Sequence, residues 1–135
     1  MWRTLAGIVA GLVSWAVIAT VLNFGVRLSI PGYVQAEPIL AFTLAMKLAR
    51  LSLAAIASLG AGAIVRAIAP SSRAGPVVVG LILLGLFLPV HLQIWNKLPV
   101  WYHLTFLVTL VPLVVLGSRL RLAKRVSTPA SPGLA

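Results

Sequence analysis

Four long apolar runs, divided by short polar or proline-bearing breaks, set the pattern of this chain. They cover residues 5–24, 39–69, 76–95 and 101–116. A helix rises about 1.5 Å per residue, so about 20 apolar residues cross the roughly 30 Å of hydrocarbon in a bilayer. The pattern therefore predicts an all-α fold, an integral membrane bundle of four transmembrane helices within residues 1–125. Residues 126–135 show no apolar periodicity and are expected to form a disordered cytoplasmic tail.

The first run exceeds the apolar core of a signal peptide, about 7–15 residues, and lacks a convincing small-x-small cleavage site, so it reads as a retained helix. Gly7, Gly11 and Ser14 share one of its faces, where small residues let a neighbouring helix approach closely. The connection that follows holds Arg27 and the turn pair Pro31-Gly32. Pro38 fits the first turn of the second helix, with Glu37 as its capping residue or next to it. As one helix the second run would reach about 46 Å, so it must tilt, protrude or break. Pro89 removes a backbone hydrogen bond from the third helix and should kink its outer end. Gly117, just past the fourth run, reads as a helix stop. Gly80 and Gly85 read as packing positions. Thr105, Thr109 and Pro112 recur along the fourth helix, where the hydroxyls suit carbonyls freed near the proline or bonds between helices.

Composition strengthens the membrane reading. Of 135 residues, 61% are hydrophobic and 9% charged, whereas soluble domains are roughly a quarter charged. So small a soluble fold has too much surface for its volume to hide that apolar fraction. The lipid bilayer is thus the first expected partner. A formal charge of +10 would point a soluble protein toward nucleic acid. Here the cations flank or interrupt apolar runs instead of lining a phosphate-tracking groove, and no nucleic-acid partner is expected. Their distribution works as a topology signal. Arg3, Arg66, Arg73, Arg119, Arg121, Lys124 and Arg125 fall on one side, Arg27 and Lys97 on the other. Positive charge stays inside, so both termini are expected in the cytoplasm, with a bacterial inner membrane as the expected location. Trp95, Trp101 and Tyr102 then gather at the outer interface, as anchors at the headgroup level.

The chain has no Cys and no Asp, and Glu37 is its one acidic residue. Disulfides, thiolate metal sites, thiol nucleophiles and paired-carboxylate catalysis within one chain are excluded. No Gly-rich phosphate loop, H-E-x-x-H or G-x-S-x-G occurs. Proton-coupled antiport usually relies on a membrane-embedded acid. Glu37 sits at a helix start beside a loop, so the size shared with small multidrug antiporters carries no further likeness. His91, His103 and Glu37 could be imagined around a metal, but they are scattered over three segments and Lys47 and Arg50 would repel a cation. No metal or other cofactor is expected.

Lys47 and Arg50 are the sharpest feature. If Arg66 marks the inner boundary, both lie in the outer leaflet, within snorkelling reach of water. If the long run is centred, Arg50 approaches the midplane, at a cost of at least about 2.5 kcal/mol unless it faces protein or water. At about 100° per residue, Thr43, Lys47, Arg50, Ala54, Ala57, Ser58 and Ala61 form one stripe. Small faces pack against other helices, so the two cations are expected to point into the bundle. Asn23, near the outer end of the first helix, is placed to bond into the same region.

Three functions fit these residues. The first is a structural or accessory membrane component that binds a membrane protein partner, or forms a homo-oligomer, through its helix faces. The lack of motifs favours it. The second binds or transports an anionic ligand or lipid headgroup at an outer-leaflet site drawn from Lys47, Arg50, His91, His103 and Glu37. The third is an outer-leaflet enzyme with His91 or His103 as general base. No activated nucleophile accompanies either histidine, and no catalytic residue is assigned.

Overall fold

The computed structural model describes residues 1–126, with side chains through Leu120. Of the segment 126–135, only Val126 falls inside the described residues, as the end of a helix. In chain order the elements are α1 (Trp2–Ser29), α2 (Tyr33–Ala36), a 3-10 turn (Glu37–Ile39), α3 (Leu44–Ile68), α4 (Ala74–Gln93) and α5 (Val100–Val126). Four of these helices are long and apolar enough to cross a membrane. Their outward faces carry what a membrane requires. Along α1, Leu5, Val9, Val13, Val17 and Val21 are all more than half exposed. In water such a stripe would drive association, but in a bilayer it simply faces lipid.

The second apolar run resolves its excess length by breaking. Leu40 takes a left-handed backbone conformation with φ 57°, and the Ala41 N–H donates to the Ala36 carbonyl at 3.1 Å. Apolarity continues through Phe42, but that ring is 7% exposed and stacks on Tyr33 at 5.5 Å. Phe42 is therefore apolar because it packs beneath the loop, whereas Ile39, in the 3-10 turn, is 70% exposed; neither belongs to the spanning helix. The cap of α3 is Thr43 rather than Glu37. Its Oγ1 accepts the Met46 N–H at 3.3 Å, which satisfies one of the free donors at a helix start. Pro38 sits in the 3-10 turn.

Around the bundle, α3 lies between α1 and α5, and α4 closes the ring by packing on α5 and touching α1. Glycine sets the close approaches. A Cβ on Gly62 would overlap the Val114 carbonyl oxygen, and one on Gly117 would overlap the Leu59 carbonyl oxygen. So α3 and α5 meet backbone to backbone. Gly117 is consequently a packing position inside α5 and not a stop, and the helix runs on to Val126. On the other side of α3, a Cβ on Gly11 would come within 2.6 Å of Val65 Cγ2. Gly80 meets Val111, whereas Gly85 has nothing within 4 Å. The small faces of α1, α3 and α5 are thus used within one copy of the chain. Thr109 Oγ1 donates to the Thr105 carbonyl at 2.5 Å, and α4 continues through Pro89 without interruption.

Candidate functional site

The buried face of α3 changes character along its length. From Ala54 to Gly62 it presents Ala54, Ala57, Ser58, Ala61 and Gly62. Side chains this small let the helices close on one another. One turn earlier stands Arg50, and there the bundle holds a cavity of about 430 Å³. Its deep pole is aromatic. Trp15 of α1 tilts against Phe87 of α4 at 4.9 Å, and Phe87 meets Phe106 of α5 edge-on at 5.2 Å. Trp15 is held in place by its Nε1–H, which donates to Ser58 Oγ at 3.0 Å. The opposite pole is polar, with Asn23, Arg27, Glu37, Arg50 and Tyr102 on the wall.

Arg50 organises that pole. Its Nε donates to Tyr102 Oη at 3.1 Å and its Nη1 to Tyr33 Oη at 2.7 Å. Its guanidinium also stands 4.8 Å from the centre of the Phe42 ring, a favourable cation–π distance. The hydrogen bonds continue in one direction. Tyr33 Oη donates to Asn23 Oδ1 at 3.0 Å, and Asn23 Nδ2 donates to Glu37 Oε2 at 3.1 Å. The relay runs from cation to carboxylate, so each bond polarises the next. Glu37 Oε1 takes a second cation, accepting from Arg27 Nε at 2.8 Å with Arg27 Nη2 at 2.6 Å. Arg50 Nη1 stands 3.8 Å from Oε2. The network fastens α1, α2, α3 and α5 together at this end of the bundle.

The charges of the outer segment follow from these contacts. Burial would raise the pKa of Glu37, but the hydrogen bonds from Asn23 and Arg27, with the charges of Arg27 and Arg50, hold it below the ordinary carboxylate value. Glu37 is therefore ionised at neutral pH. Burial pushes the Tyr33 phenol above its ordinary value, against the opposing effect of Arg50, so it stays neutral and keeps the proton it donates. Two guanidiniums against one carboxylate leave this pole with a net charge of +1.

The unused hydrogen-bonding capacity on the wall includes a charged donor. Arg50 Nη2 bonds to none of the described residues, and 31% of the side chain remains exposed. Tyr102 Oη accepts from Arg50 but donates to no described residue. Both oxygens of Glu37 are engaged. The charged donor on the wall is Arg50 Nη2, beside the Tyr102 hydroxyl, while the Thr20 hydroxyl can donate or accept.

The histidines form a separate unit. His91 Nδ1 and His103 Nδ1 are 2.8 Å apart, and His103 Nε2 lies 3.3 Å from the Trp95 carbonyl. A carbonyl only accepts, so hydrogen-bond logic assigns the proton of neutral His103 to Nε2 and that of His91 to Nδ1. Trp95 stacks on His103 at 4.7 Å, and His91 stacks on Tyr102 at 6.0 Å. His91 is 4% exposed and His103 0%, and neither lines the cavity. Among the described residues, no three His, Cys, Asp or Glu side chains lie close enough to hold one metal ion.

The five ligand candidates thus fall into different places. Arg50 and Glu37 meet in one network. His91 and His103 meet in another, with Tyr102 between the two. Lys47 is partly buried, and its side chain makes no hydrogen bond or ion pair with a described residue. Of the three rings grouped as interface anchors, Trp101 is 41% exposed, Trp95 covers His103, and Tyr102 is 3% exposed and bonded to Arg50. Tyr102 therefore belongs to the interior. Sequence reasoning passed over Tyr33, which is fully buried, and the aromatic pole of Trp15, Phe87 and Phe106. The signal for Tyr33 was its place directly after the turn at Pro31-Gly32, where an aromatic ring folds back onto the bundle end.

Comparison with known proteins finds no matching family model, no matching curated relative and no matching solved structure.

Proposed function

We propose that this membrane protein binds an anionic ligand or lipid headgroup in the cavity beside Arg50. One observation carries the reading: the free charged group on the polar wall is the Arg50 guanidinium, whose Nη2 bonds to no described residue, in a pole of net charge +1. A volume of about 430 Å³ lies within the range of small-molecule sites, about 300–1,000 Å³. The α1 stripe of Leu5, Val9, Val13, Val17 and Val21 is aliphatic and gives a partner nothing to distinguish it from lipid.

The test compares benzoate with its neutral counterpart benzamide, at equal ionic strength, by thermal unfolding of the purified protein in mild detergent. Benzoate is expected to raise the melting temperature of the wild type and of Lys47→Gln, and benzamide to leave both unchanged. In Arg50→Gln the response to benzoate should vanish. An equal response to both compounds, or one that survives in Arg50→Gln, sinks the proposal.

In this reading the cavity opens toward the outer leaflet and the termini are cytoplasmic. Arg3, Arg66, Arg73 and Arg119 crowd the far end of the bundle, and a positive end stays inside. The chain lacks native cysteine, so single cysteines report cleanly. Asn96→Cys should react with a membrane-impermeant maleimide on intact cells and Ser71→Cys should not. The opposite pattern reverses the orientation.

A further inference from the structure

The cavity is not simply an anion site, because its two poles differ in kind. The charged donors stand at one pole. The other is built from three packed aromatic rings, Trp15, Phe87 and Phe106, one from each of three helices. An inorganic anion or a bare headgroup would occupy the first pole and leave the second wet or empty. Water there is unfavourable against an apolar wall, and an apolar body on the ligand itself would fill the space. We propose, resting on the anion-binding reading above, that the ligand is a monoanionic amphiphile: an acidic head on Arg50 and a compact apolar body on the Trp15–Phe87–Phe106 floor.

The head follows from charge and donors. A single negative charge matches the net +1 of the pole. Arg50 Nη2 and the Tyr102 hydroxyl each have a hydrogen to give. A dianion would exceed the available positive charge, since Glu37 is committed to Arg27 and Asn23. The body follows from volume. At roughly 30 Å³ per water-sized group, about 430 Å³ accommodates on the order of 14 non-hydrogen atoms. That is a bicyclic acid, or the head and first carbons of a lipid whose remaining chain lies in the bilayer. Hydrophobic carboxylates and monoanionic phospholipids share this chemistry.

The experiment uses the full chain in phosphatidylcholine nanodiscs, with empty nanodiscs subtracted to remove partitioning. Calorimetric titrations compare acetate, 1-naphthylacetate and 1-naphthylacetamide. Each buried CH₂ is worth roughly fourfold in affinity, so 1-naphthylacetate should bind about 100-fold or more tighter than acetate. Phe87→Ala should reduce that advantage about tenfold. Ala19→Leu, which fills space on the cavity wall without touching Arg50, should do the same and guards against a Phe87 variant that fails to fold. Loss of the advantage in Ala19→Leu with acetate affinity unchanged supports the proposal.

If acetate and 1-naphthylacetate bind alike, or if both wall variants leave the ratio unchanged, the amphiphile proposal falls while the anion site stands. If 1-naphthylacetamide binds as tightly as the acid, the anion reading itself falls. Phosphatidylglycerol doped into the nanodiscs then identifies the source. Displacement of 1-naphthylacetate supports a lipid occupant, and retention supports a free acid.

Discussion

Gly62→Ala is expected to remove most of the folded protein from the membrane. The added Cβ would overlap the Val114 carbonyl oxygen and also come within 2.8 Å of the Ser118 backbone nitrogen. Neither neighbour is a flexible side-chain tip, so the clash is relieved only if α3 and α5 move apart. That movement would break the contact with Gly117, whose own Cβ position is occupied by the Leu59 backbone. Overpacking in a close-packed interior costs about 1–3 kcal/mol, and a backbone clash belongs at or above the upper end. Without a strong hydrophobic force between helices in lipid, close packing is a main source of association energy, and little is left to compensate. Gly85→Ala is the control. Nothing lies within 4 Å of its Cβ, so helix propensity alone applies and should stabilise by up to about 1 kcal/mol. Fluorescence-detected size exclusion and thermal unfolding in mild detergent measure both. A Gly62→Ala protein that accumulates and melts like the wild type would show that α3 and α5 do not touch through their backbones.

The second large effect concerns the histidine pair. His103→Leu should cost about 3 kcal/mol, since it strands the buried His91 Nδ1–H and the Trp95 carbonyl, at about 1–3 kcal/mol for each unsatisfied group. The double variant His91→Leu with His103→Leu should be more stable than His103→Leu alone. Removing both partners leaves no buried imidazole donor facing an apolar wall, and replacing both members of a bonded pair with apolar groups is far less harmful than removing one. The double-mutant cycle reads the coupling directly. Additive losses would mean that the two rings do not share a hydrogen bond. The result also bears on the cavity, because His91 stacks on Tyr102 and Tyr102 holds Arg50. A disturbed pair should loosen one wall of the site.

Two kinds of information separate in this protein. Membrane residence, the all-helical class and the number of long apolar segments were written in the sequence, because hydropathy is summed over neighbouring residues and needs no knowledge of the fold. The orientation of Arg50 toward other helices was legible for the same reason: it shares a stripe with Ala54, Ala57, Ser58 and Ala61, and a helix has a fixed angular step. Helix ends were less legible. Phe42 and Ile39 look like helix in a hydropathy count, and Gly117 looks like a stop, because the count cannot tell an apolar turn or loop from a span or a contact glycine from a terminal one.

Which side chains meet was decided by tertiary structure alone. Arg50 bonds to Tyr33, 17 residues away, and to Tyr102, 52 residues away. His91 found His103 and not Glu37, and Lys47 found no partner among the described residues. Such meetings depend on the order of helices around the ring and on the rotation of each about its axis. Both depend on the close approaches at Gly11, Gly62, Gly80 and Gly117. Those contacts join residues distant in the chain, so no local pattern around Arg50, Tyr33 or Tyr102 records them. The cavity exists because the small residues of α3 give way to Arg50 at the point where Trp15, Phe87 and Phe106 arrive from three other helices.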